Sequence, residues 1–102
     1  MVNSGTKPSV KLSEDAAQSL AIEALSYLSN TPELMQRFLS LTGIEASDIR
    51  RAAQAPQFFA GVLKFFLAHE PTLLAFCDAT DTPPLHVAIA LNALPGGIDY
   101  SE

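Results

Sequence analysis

From Glu70 to the last residue the sequence has five acids and no lysine or arginine. All six basic residues (Lys7, Lys11, Arg37, Arg50, Arg51 and Lys64) lie upstream, where an equal number of acids balances them, and the 102 residues carry a net charge of −5. Such a field does not draw in phosphate backbones or anionic lipid, so neither nucleic acid nor a membrane is an expected partner. The last third suits a basic partner or none. Cysteine occurs once, as Cys77, which excludes an internal disulfide and any multi-cysteine zinc or iron–sulfur centre. That economy fits a reducing cytoplasm. No stretch approaches the roughly 18 uninterrupted apolar residues of a membrane span. The opening Met-Val-Asn-Ser-Gly-Thr-Lys lacks the apolar run of a signal peptide. HExxH, Walker, GxGxxG and GxSxG patterns are missing as well, so an enzyme is not expected, nor a metal or cofactor.

What the sequence does have is apolar side chains. They make up 48% of the residues against 17% charged, which is enough for one domain to bury a core without staples. Four of the six phenylalanines fall between Pro56 and His69. At helical spacing Phe58, Phe59, Val62, Leu63, Phe66 and Leu67 form one broad stripe that Phe65 widens. A helix this apolar has to be surrounded by its neighbours. Gly61 inside it costs roughly 1 kcal/mol against alanine, and a second backbone crossing closely there is the expected compensation.

Around this helix the remaining elements follow from their start and stop signals. Residues 1–11 read as a flexible arm, 12–95 as a single helical domain and 96–102 as a flexible tail. Ser13 is placed to cap a first helix with Glu14 and Asp15 in its first turn, and Ala17, Leu20, Ala21, Ala24, Leu25 and Leu28 make its inner face. Thr31-Pro32 signals a second helix, Thr31 as N-cap, with Leu34, Met35, Phe38, Leu39 and Leu41 inward and Glu33–Arg37 as a favourable i,i+4 pair. Gly43 suits a left-handed stop of the Schellman kind. Ser47 is placed to cap a short third helix, which Ala55-Pro56 ends early. Pro71 opens a fifth helix. Thr82-Pro83 precedes a charge-free sixth helix over Pro84 to Leu94, which Pro95-Gly96-Gly97 stops. The fold expected is all-α, a compact bundle of five or six short helices around the Phe-rich one.

A weak repeat runs through this order. A shift of 38 residues lays Phe38 on Phe76, Thr42 on Thr80, Ile49 on Val87 and Ala52 on Ala90. Two similar helical hairpins would produce it, and so would a chance sharing of caps. Asp81 falls where the first copy has Gly43, so the second turn either differs or holds Asp in a left-handed conformation.

Three constellations bear on function. Leu39, Gly43 and Ile49 have the spacing of a helix-turn-helix, whose second helix would offer Arg50, Arg51 and Gln54, with Arg37 nearby, to phosphates and base edges. Glu45 and Asp48 oppose that reading, because they sit at the end that would enter the groove. Cys77 with His86, Asp78 and Asp81 suggests thiol or metal chemistry, but no cation stands nearby to lower a thiol pKa, and an inert buried cysteine is the plainer reading. Helix six, without a charge, either fills the core or leaves Leu85, Val87, Ile89, Leu91 and Leu94 as a face for a protein partner or a second copy.

Three stretches, Arg-Phe-Leu-Ser-Leu-Thr-Gly-Ile (37–44), Phe-Phe-Ala-Gly-Val-Leu-Lys-Phe-Phe-Leu (58–67) and His-Glu-Pro-Thr-Leu-Leu-Ala-Phe-Cys (69–77), resemble a family of short, mostly alphaproteobacterial proteins classed as domain of unknown function 3572. The similarity runs from about Ala16 to Leu94. Asp81 departs from the glycine expected at its turn. The resemblance implies a small soluble helical protein and carries over no activity, ligand or catalytic residue. The function expected is a non-catalytic protein-interaction or regulatory module. The runner-up is nucleic-acid binding through Arg50 and Arg51.

Overall fold

The computed structural model describes residues 12–96. The arm expected over 1–11 lies outside the described residues, as does all of the expected tail except Gly96. Six α-helices follow in order: α1 (Glu14–Ser29), α2 (Pro32–Thr42), α3 (Ile49–Ala52), α4 (Phe58–Leu67), α5 (Glu70–Thr80) and α6 (Pro84–Ala93). A 3₁₀ turn, Ala46–Asp48, leads into α3. Among the described residues there is no strand, and the fold is all-α.

The first helix starts where its sequence signals. Ser13 Oγ accepts the Ala16 N–H at 3.1 Å, with Glu14 and Asp15 in the first turn. Ala17, Ala21, Ala24 and Leu28 of α1 are fully buried. The other expected caps behave differently. Thr31 donates its hydroxyl backwards to the Tyr27 carbonyl at 2.9 Å, because only two residues separate α1 from α2 and the free carbonyls of α1 are its nearest acceptors. Ser47 makes no capping bond and sits inside the 3₁₀ turn. Thr82 Oγ1 lies 2.8 Å from Thr80 Oγ1, leaving Pro83 as the extended residue before α6. Glu33 and Arg37 do not pair; the ion pair among the described residues is Arg51–Asp48, 3.1 Å. Leu41, expected inward, is 72% exposed because α2 turns its Phe38 side to the core.

The core is built where α1, α4 and α6 pack on one another, with α2 laid on α1 and α5 against α4 and α6. The Phe-rich helix therefore shares the centre with α1 and α6. Pro56 stays in the preceding turn and the helix begins at Phe58. Its Phe58, Ala60, Val62, Leu63, Phe65 and Phe66 are buried, while Phe59 and Leu67 are half-buried at its margins.

The rings form a connected series. Phe38 of α2 meets Phe65 edge-on at 5.4 Å and Phe58 at 6.0 Å. Phe76 of α5 meets Phe66 at 5.0 Å and Tyr27 of α1 at 5.6 Å. The Phe66–Phe76 pair is tilted and the other three are edge-to-face, and aromatic pairs of these kinds contribute about 0.5–1.5 kcal/mol each beyond area burial. The two phenylalanines related by the 38-residue shift thus hold the central helix through its neighbouring rings, Phe65 and Phe66.

The local chemistry of the repeat is also shared. Thr42 donates to the Phe38 carbonyl at 2.8 Å and Thr80 to the Phe76 carbonyl at 2.8 Å. The next residue in each copy is left-handed, Gly43 at φ 75° and Asp81 at φ 58°. The stops differ after that. Gly43 N–H reaches the Leu39 carbonyl and Ile44 N–H turns to Thr42 Oγ1, an αL stop rather than the expected Schellman stop. The Schellman bond is found in the second copy, from Thr82 N–H to the Cys77 carbonyl at 2.9 Å.

Candidate functional site

Helix α6 does not present the expected partner face. Val87, Leu91 and Leu94 are buried in the core, which α6 can enter because the alanine face of α1 lets it pack closely. Leu85 alone of that set is largely exposed, at 62%, and Ile89 is half-buried beside Leu12, Asn92 and Ala93. The missed signal was the i, i+3, i+4, i+7 series Val87, Ala90, Leu91, Leu94, a core stripe hidden in a helix that is apolar all round.

The helix-turn-helix residues also fall short of a reader of DNA. The third helix is a single turn of four residues, Arg50 and Gln54 are exposed, and Arg51 is held by Asp48 on its own turn. No recognition helix is there to lie in a groove. Arg37 stands exposed on α2.

Cys77 lies against the core at 6% exposure, and burial pushes its thiol pKa up, away from the thiolate a nucleophile needs. His86, Asp78 and Asp81 do not join it: among the described residues no three His, Cys, Asp or Glu side chains gather into a metal-holding group. His69, at the bend between α4 and α5, puts Nδ1 2.7 Å from the hydroxyl of buried Thr72 and serves the start of α5.

The feature that stands apart is a cleft. Phe38 and Ile44 form one wall from α2 and its stop, Ala52 and Ala55 a second from α3 and its following turn, and Phe58 and Gly61 the floor from α4. Its volume is about 240 Å³, below the roughly 300–1,000 Å³ of clefts that take drug-sized ligands. Thr42 and Gln57 are the polar side chains of the lining, and the Thr42 hydroxyl is already committed to the Phe38 carbonyl. The site therefore asks for apolar surface about the size of a side chain or two.

Gly61 shows why the cleft is open. Among the described residues no second backbone crosses there, and a Cβ added at Gly61 would meet nothing within 4 Å. The expected close crossing is absent, and the helix instead carries a glycine, at a cost of roughly 1 kcal/mol, beside empty space. A wider, shallower depression of about 540 Å³ lies on the other side of Gly43, bordered by Gln36, Ser40 and Glu45, and is more polar.

Electrostatics around the cleft differ from the rest of the chain. Residues 32–67, which build it, hold four cations (Arg37, Arg50, Arg51 and Lys64) against three acids (Glu33, Glu45 and Asp48), in a sequence of net charge −5. No described helix is by itself long and apolar enough to cross a membrane.

No curated protein and no solved structure matches the chain. A family model matches residues 14–97, which takes in all six helices, both left-handed stops and the cleft, and its description is "Protein of unknown function (DUF3572)". On that match the chain belongs to the DUF3572 family.

Proposed function

We propose that the protein is a non-catalytic interaction module that takes an apolar side chain of a protein segment into the cleft between α2, α3 and α4. The observation that carries this reading is Gly61, a mid-helix glycine whose missing side chain leaves an apolar hollow that nothing in the described fold fills. Hollows with a mostly apolar lining suit side chains better than polar metabolites. The cations on the framing elements favour a segment with acids flanking the apolar residue. A bacterial, cytoplasmic setting belongs to the same reading; the family resemblance and the single unpaired Cys77 support it.

A peptide-display selection against the purified chain tests this. The expected result is enrichment of sequences with one bulky apolar residue between acidic neighbours, lost when Gly61→Leu fills the hollow while the helical circular dichroism is kept. A selection that enriches nothing, or peptides that bind Gly61→Leu equally well, overturns the reading. Nucleic-acid binding has no comparable observation behind it, since α3 is one turn long and Arg51 is paired.

A further inference from the structure

The cleft has a polar neighbour. The depression of about 540 Å³ beside Gly43 shares Ile44 with it, so the two hollows flank the end of α2: Phe38 and Thr42 line one, Gln36, Leu39 and Ser40 the other. The saddle between them is low, since Gly43 carries no side chain and a Cβ added to it would meet nothing within 4 Å. The depression has the chemistry of a cation site. Glu45 is the charged residue of its lining, and exposed Gln36 and Ser40 bring amide and hydroxyl acceptors. Helix α2 ends at Thr42 with no lysine or arginine in its last turn, so the carbonyls there lack helical partners and the dipole is negative at this edge. Gly43 N–H takes up the Leu39 carbonyl. Leu39 and Ile44, both half-buried, add an apolar floor. A carboxylate and carbonyl edge around such a floor match a long alkyl stem with a cationic head, as in arginine and lysine.

We infer that the bound segment continues from the cleft across Ile44 and lays an arginine or lysine side chain in this depression. This deepens the docking reading and rests on it. The span sets the spacing. A helix with its side chains is about 10–12 Å across, and crossing its end takes about three or four extended residues at roughly 3.3 Å each. The basic residue therefore stands about three or four positions from the apolar anchor, on one side of it alone. Arg50 and Arg51, on the one-turn helix whose Ala52 walls the cleft, favour the anchor's acidic neighbours, while Glu45 favours the base. Arg37, exposed on α2, belongs to neither lining. Opposite charges on the two sides of the α2 end fix the direction in which the segment lies.

The test is a second peptide-display selection on the full chain, with a bulky apolar residue (leucine, isoleucine, phenylalanine or methionine) fixed between two aspartates and several random positions on each side. The expected result is enrichment of arginine or lysine about three or four positions from the apolar residue, on one side only. Glu45→Lys, a change at an exposed position that leaves the helical circular dichroism in place, turns that preference to aspartate or glutamate and keeps the apolar requirement. With synthetic peptides, exchanging the enriched base for glutamine weakens binding to the unaltered chain about two- to fivefold, the range of an exposed ion pair, and has no effect on binding to Glu45→Gln. Anchored peptides that bind without a basic preference, or with one that Glu45→Lys leaves unchanged, overturn the placement in the depression while the cleft reading stands. Basic residues enriched equally on both sides overturn it as well. Failure of every peptide in the selection to bind overturns both.

Discussion

Burial governs the chemistry of Cys77. Its sulfur lies on the inner side of α5 with Leu73 and Phe76, all at 8% exposure or less, and desolvation disfavours the thiolate there. A thiol whose pKa is raised by desolvation ionises less in the folded chain than in the unfolded one. The sign follows directly: this group's contribution is complete below the unfolded thiol's pKa and is lost as pH rises through the folded value. A disulfide reagent such as Ellman's should therefore label the native protein slower than the urea-unfolded chain by a factor on the order of a hundred or more, because reaction waits for opening of α5. Labelling at equal rates in both states would show that Cys77 is accessible and would return it to the list of candidate nucleophiles.

At the scale of the element, amphipathic faces were legible and hydroxyl roles were not. The alanine and leucine face of α1, the Phe-rich helix and the left-handed stops follow from spacing and from the tolerance of Gly and Asp for positive φ. Thr31, Ser47 and Thr82 could each bond forward as a cap or elsewhere, and which acceptor lies nearest depends on how the neighbouring helices end. Gly61 was visible as an anomaly, but whether its compensation is a close crossing or an open hollow depends on where α2 and α3 stand. The hollow makes a direct prediction. Gly61→Ala should raise stability by about 1 kcal/mol, because a Cβ there meets open space and alanine is the better helix residue. The same methyl should weaken capture of the selected peptides. Urea unfolding and peptide titration on one protein sample check both signs. A stabilised variant with undiminished binding would mean that the glycine is not there to keep the cleft open.

Across the whole molecule, the question left by the sequence was how two nearly charge-free helices, α4 and α6, are both covered in a chain of this size. The described core answers it with small residues. Ala17, Ala21 and Ala24 of α1, Ala60 of α4 and Ala90 of α6 are all fully buried, in three helices that pack mutually. Alanines at i, i+4 and i+7 on α1 let the other two helices approach its backbone, so α6 reaches the core without needing an exterior partner for its Val87, Leu91 and Leu94. Large rings fill the rest of the core, where Phe38 and Phe76 hold α4 through Phe65, Phe66 and Phe58. This division of labour is specific enough to break. Ala21→Leu adds three carbons at the seam and should cost about 1–3 kcal/mol by overpacking, forcing α4 or α6 outward. Ala16→Leu on the same helix, at an exposed position, should change stability by no more than about 0.5 kcal/mol. Urea midpoints of the two variants, with equal slopes, separate packing from helix propensity, since the residue change and the helix are the same in both. If Ala21→Leu is tolerated as well as Ala16→Leu, the helices are not in close contact there, and the coverage of α6 must come from outside the chain.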